Sequence, residues 1–131
     1  MTTFPREGTA VLAVPAGVRA LGRAAALLAF GSAVVHLLLV DASSLGSLAM
    51  LGMALACLPC GWHLWRNPSG RVWAMTAAVD AAMLAIHLQM LAPPSGHVHA
   101  AGPAPLMWLG LGLVGAQLVA ATLAAGATAR R

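Results

Sequence analysis

Residues 72–92 read VWAMTAAVDAAMLAIHLQMLA, a run in which Asp80 is the single charge. A stretch of this length, wound as an α-helix, crosses the ~30 Å hydrocarbon core of a bilayer. Three more apolar blocks of similar length stand at about 20–40, 45–65 and 104–125. Short polar or Gly/Pro-bearing connectors separate them: 41–44, Arg66 to Arg71, and the longer Pro93 to Pro103. Proline and glycine punctuate both of the later connectors, as turns and loops require. The reading is an all-α protein, a membrane-spanning up-down-up-down four-helix bundle.

The rest of the composition agrees. The 131-residue chain is 60% hydrophobic and only 8% charged, against ~25% charged in soluble proteins. Mean hydropathy is +0.86, which leaves too little polar side chain to cover a water-facing surface. Three acids (Glu7, Asp41, Asp80) against seven arginines give a net charge of +4. In a soluble protein that balance would suggest nucleic acid, but these arginines flank apolar blocks and form no basic stripe with interleaved aromatics. Two cysteines make no disulfide scaffold, and the composition fits neither collagen nor a disordered chain. The chain divides into an N-terminal arm, 1–19, and a transmembrane domain, 20–131. The arm carries Pro5, Gly8, Pro15 and Gly17 and does not read as a cleaved signal, because the apolar block behind it is too long.

Charge fixes the expected orientation. Arg6, Arg19 and Arg23 precede the first block, Arg66 and Arg71 lie between the second and third, and Arg130 and Arg131 follow the fourth. The positive-inside rule then puts both termini and the middle connector in the cytoplasm, with the loops of Asp41 and His97 outside. The expected setting is a bacterial plasma membrane, crossed several times. Small residues every fourth position, as in Ala25, Ala29, Ala33 and in Gly112, Ala116, Ala120, Ala124, let helix backbones approach closely. Trp62, Trp65, Trp73 and Trp108 fall at span ends, where an aromatic belt is expected.

At 1.5 Å per residue, His36 on the first helix and His87 on the third fall at nearly one depth in the outer half. On the second helix Met50, Met53, Cys57, Cys60 and His63 recur at spacings of three and four, and on the third Asp80, Met83, His87 and Met90 do the same. Antiparallel packing sets Met50 near His87, Met53 near Met83 and Cys57 near Asp80, with Ser32 and Gln117 within about a turn of the Asp80 level. Imidazole, thioether and thiol are the donors that suit copper(I), and imidazole also serves haem iron. Each has a plainer reading. Methionine is an ordinary packing residue, and paired histidines form interhelical hydrogen bonds, with Ser32 or Gln117 as partners.

Asp80 near the midplane needs a partner or a proton, and Gln117 is its simplest hydrogen-bond partner. The Cys57-Leu-Pro-Cys60 spacing occurs in thiol redox motifs and metal pairs, but buried cysteine commonly acts as a small hydrophobe. Pro59 leaves the carbonyl of Leu55 without its helical donor. His97 and His99 alternate along an extended loop, so both rings face one side and could receive an ion from outside; a merely polar loop explains them equally.

The segments Ser47 to Cys57 and Ala81 to Met90, rich in alanine in a chain without lysine, resemble the small, uncharacterised four-helix integral membrane proteins of high-GC actinobacteria. That resemblance is one of composition; it implies a plasma-membrane location and carries no activity. Three functions follow from the residues. The first is a metal-handling protein that receives a copper-like ion at His97 and His99 and holds it at His36, Met50, Met53, His87 and Met90. The second is a b-type haem electron carrier with His36 and His87 as axial ligands. In the third, a non-catalytic accessory or assembly subunit, the polar groups Cys57, Cys60, Asp80 and Gln117 pair among themselves while a glycine stripe on the fourth helix docks a larger complex or another copy. No nucleophile elbow, Walker loop, H-E-x-x-H or paired carboxylates are present, so an enzyme is not expected, a redox role aside.

Overall fold

The computed structural model of the chain describes residues 15–41, 46–91 and 104–130, and among them every regular element is helical. The helices are α1 (Ala16–Leu38), α2 (Gly46–Arg66), α3 (Gly70–Leu91) and α4 (Ala104–Ala129). All four are long and apolar enough to cross a membrane. Helix α1 starts at Ala16, ahead of the expected start near residue 20. Pro15 is extended (φ −53°, ψ 143°) and its carbonyl accepts the Arg19 N–H at 3.1 Å. A proline just ahead of the first turn gives up no helical hydrogen bond and pre-sets the backbone.

The connector between α2 and α3 is also tighter than the sequence implied, since only Asn67, Pro68 and Ser69 lie outside a helix. Ser69 closes it as the cap of α3: its carbonyl accepts the Trp73 N–H at 3.0 Å and its hydroxyl the Val72 N–H at 3.4 Å. At the start of α2 the Ser47 hydroxyl and the backbone of Asp41 hydrogen-bond each other. Pro59 lies inside α2 without ending it.

Buried positions on each helix follow one rhythm of threes and fours. The repeating series is Gly22, Ala25, Ala29, Ser32 and His36 on α1; Met53, Cys57, Cys60 and Leu64 on α2; Trp73, Thr76, Asp80, Met83 and His87 on α3; and Gly110, Val114, Gln117, Ala121 and Ala124 on α4, with Ala26, Ala33, Val35, Ala54 and Gly61 buried beside it. A 3.5-residue average is the seam of helices that cross at a shallow angle and interdigitate their side chains. Packing is closest between α1 and α2 and between α3 and α4, α4 closes onto α1, and the α2–α3 junction is thinnest. Helices α1 and α3 therefore stand diagonally, as do α2 and α4.

Glycine contacts show which helix ends lie together. A Cβ on Gly22 would stand 2.8 Å from the Leu64 carbonyl oxygen and from the Pro68 ring, and one on Gly70 would stand 2.8 Å from Thr128 Oγ1. The beginnings of α1 and α3 and the ends of α2 and α4 thus share one end of the bundle. Arg19, Arg23, Arg66, Arg71 and Arg130 gather there, with the guanidinium of Arg23 5.6 Å from the Trp65 ring centre and that of Arg66 5.0 Å from Trp62. At the opposite end a Cβ on Gly110 would approach Val35 Cγ1 at 3.3 Å.

Polarity is inverted relative to a water-soluble bundle. Leu27, Leu38, Leu48, Leu123 and Trp108 are each more than 60% exposed, while Ser32, His36, Thr76, Asp80, His87 and Gln117 are buried. Leucine outside and polar groups inside is the order that a hydrocarbon solvent selects, and it points to a multi-pass membrane protein in contact with lipid. Two expectations need correction. Trp73 belongs to no belt: it is fully buried in a cluster with Ala25, Ala26, Leu64, Ala121 and Ala124. The inward stripe of α4 is Gly110, Val114, Gln117, Ala121 and Ala124, so Gly112, Ala116 and Ala120 do not share its buried face with Ala124. Both errors came from placing a residue by its distance from the span end or by four-residue spacing alone, whereas burial follows the alternating three-four rhythm.

Candidate buried polar site

The site is built at the end of the bundle away from the arginines, where the diagonal helices α1 and α3 each direct an imidazole inward. His36 and His87 are both buried. Their ring centres are 5.3 Å apart, with the planes at 72°. Each ring is oriented by its own helix. His36 Nδ1 lies 2.7 Å from the Ser32 carbonyl oxygen, and His87 Nδ1 lies 2.8 Å from that of Met83. A carbonyl only accepts, so Nδ1 carries the proton in both rings and Nε2 keeps a free lone pair. His36 Nε2 is buried and makes no hydrogen bond. Tying one ring nitrogen to a backbone carbonyl while the other keeps its lone pair is the usual preparation of a metal-binding histidine.

Ring separation distinguishes the ions such a pair would suit. With a metal–nitrogen bond of about 2.0 Å and roughly 1.1 Å more to the ring centre, two imidazoles on one tetrahedral ion stand about 5 Å apart, and two on opposite sides of an iron about 6.2 Å. The observed centre spacing of 5.3 Å lies between these two values, nearer the first.

One turn from the imidazoles the chemistry changes from nitrogen to sulfur. The Cys57 thiol donates to Met83 Sδ at 3.9 Å. Met53, Ala33 and Val114 complete the same buried cluster, and Met50 packs against it, half-buried. Ser32 and Asp80 lie within interaction range of Cys57, and Asp80 and Thr76 within that of Cys60. Both cysteines are free and buried.

Below this level α3 carries a file of polar atoms that lack partners. Asp80 Oδ2, Thr76 Oγ1 and Trp73 Nε1 are buried without a hydrogen bond, at successive positions of one seam. Such groups cost free energy in an apolar interior, and here they share one face of one helix.

The sequence-derived set is therefore brought together in part. His36 and His87 meet, and Met53, Met83 and Cys57 meet one turn away. Gln117 is buried on α4, but Asp80 Oδ2 takes no hydrogen bond from it or from any other group. The α2 stripe turns inward at Leu64 and leaves His63 exposed. The Met90 side chain, His97 and His99 lie outside the described residues. Among the described residues no three of His, Cys, Asp and Glu gather closely enough to enclose a metal ion. Ser32, named from the sequence as a histidine partner, does meet His36, whereas Thr76 is a buried member of the site that the sequence reading did not name. The signal for Thr76 was the three-four spacing of Trp73, Thr76, Asp80, Met83 and His87, which places it on the inward face. No family model, curated protein or solved structure matches the chain.

Proposed function

We propose that the chain is a plasma-membrane protein that takes a transition-metal ion of copper-like character into the outer half of its bundle, for handling or delivery, with His36 and His87 as the nitrogen ligands. The observation that carries this reading is the imidazole pair: two buried rings from diagonal helices, each tied through Nδ1 to its own backbone, with centres 5.3 Å apart. Ionisable groups at this depth in a membrane bundle are costly and are retained for function. Thioethers of Met50 and Met53 stand nearby in the adjacent cluster to complete a soft donor set. In this reading His97 and His99 receive the ion at the outer loop and Met90 adds a further thioether. The spans run up-down-up-down with both termini cytoplasmic, which the gathering of the described arginines at one bundle end supports.

Titration of detergent-purified protein with copper(I), against a coloured chelator, tests it. Wild type should withdraw the ion from the chelator, and His36→Ala and His87→Ala should each lose at least tenfold in affinity at that site. Unchanged uptake in both variants, or none in wild type, refutes the imidazole site.

A second reading, the accessory subunit, draws on α4. A Cβ on Gly112 or Gly115 would meet nothing within 4 Å, which leaves backbone exposed for another helix to approach. Migration as a complex larger than one chain after mild extraction is expected there, and a monomer counts against it.

A further inference from the structure

We propose that Cys57 and Met83 form a second metal station, one helical turn from the imidazole pair, which takes copper(I) as a soft monovalent ion on sulfur. Soft thiolate and thioether donors select such an ion over the harder divalent metals. The two sulfurs are 3.9 Å apart. With metal–sulfur bonds of about 2.3 Å, sulfurs on one trigonal or tetrahedral ion stand about 3.8 to 4.0 Å apart, so the pair is already at ligand spacing. Met53, in the same buried cluster, supplies a third sulfur when an ion is held here, which leaves Met50 to the imidazole pair.

The station is tied to the imidazoles through two residues used twice. Met83 accepts the His87 Nδ1–H at its carbonyl and meets Cys57 with its thioether. Ser32 holds His36 at its carbonyl while lying in range of Cys57. Cys57, on α2, thus packs against both α1 and α3, the helices that carry the two rings. The rise of ~6 Å over the four residues from Met83 to His87 keeps the two sites distinct.

Charge balance favours the site in hydrocarbon. The thiol and copper(I) combine to a copper thiolate and a proton, which leaves to the buffer; the bound unit is neutral, with no change of oxidation state. Access exists from the α2–α3 junction, where a groove of ≈ 390 Å³ has Met53 and Met83 among its lining residues. The sulfur station stands on these residues alone and does not require that His36 and His87 hold an ion.

The full chain in mild detergent, under anaerobic conditions, is titrated with copper(I) while the ultraviolet thiolate-to-copper(I) absorption is followed with chelator competition. Wild type should develop that band and bind two ions per chain. Cys57→Ser should lose the band and one ion, and Met83→Leu should weaken that ion at least tenfold. The double variant His36→Ala/His87→Ala should keep the band and retain one ion. One ion in wild type with a Cys57-dependent band supports the sulfur station and removes the imidazole site. A wild type without the band, or a band that survives in Cys57→Ser, overturns the proposal. Should Cys57→Ser not fold, the volume-conserving Met83→Leu decides: unchanged affinity overturns it.

Discussion

Gly22 and Gly112 are the same residue type in helices of the same composition, and their surroundings make them opposites. At Gly22 the nearest atoms to a new Cβ are a backbone carbonyl and a proline ring, both at 2.8 Å, and neither can swing aside. Gly22→Ala should therefore destabilise by about 1 to 3 kcal/mol, the range of an overpacked core. Gly112→Ala meets open space and should be neutral or gain up to about 1 kcal/mol from helix propensity. Thermal unfolding of the two variants in one detergent checks the contrast; equal melting temperatures would deny the close approach of α1 to the α2–α3 connector. Sequence could not separate these glycines, because the difference lies in what another helix places opposite them. Trp73 is the same lesson reversed: its position near a span end suggested an interface, and the alanines of α1 and α4 around it made a core.

For elements, α3 is the helix whose function is most legible and whose stability is least explained by its own side chains. Apolar length predicted it, and the three-four recurrence of Asp80, Met83 and His87 located its inward face. Four helices, their order and the His36–His87 meeting all followed from sequence, since span length and rise per residue fix depth to about a turn. The helix ends did not, because capping by Ser69 and the extended Pro15 are local geometry that composition does not weigh. Nor did the unpartnered state of Asp80, which depends on where Gln117 points. Thr76 offers a clean test of that seam. Its hydroxyl is buried with no hydrogen bond, so Thr76→Val removes a polar group at nearly constant shape and should raise stability by up to about 1 kcal/mol. A melting temperature lowered by several degrees would mean that the hydroxyl has a partner which α3 alone does not supply.

The whole molecule is ordered by charge at one end and by nitrogen and sulfur donors toward the other. If the positive-inside reading is right, a membrane-impermeant maleimide applied to intact cells should label Ala101→Cys and leave Asn67→Cys unlabelled until the membrane is permeabilised. Both are made with Cys57→Ala and Cys60→Ala, so that only the new thiol reacts. The reverse pattern would turn the protein over and put the imidazole pair in the cytoplasmic half.

At the α2–α3 junction Ala49, Gly52 and Ala56 on one helix and Val79, Ala82 and Ile86 on the other line the groove, together with Met53 and Met83. Among the described residues no charged or hydroxyl group lines it, so a hydrated ion gains nothing by approaching there and an acyl tail does. Lipid then serves as a removable fifth wall of the bundle, and whatever reaches the sulfurs sideways must travel as a greasy complex, stripped of its water before it arrives.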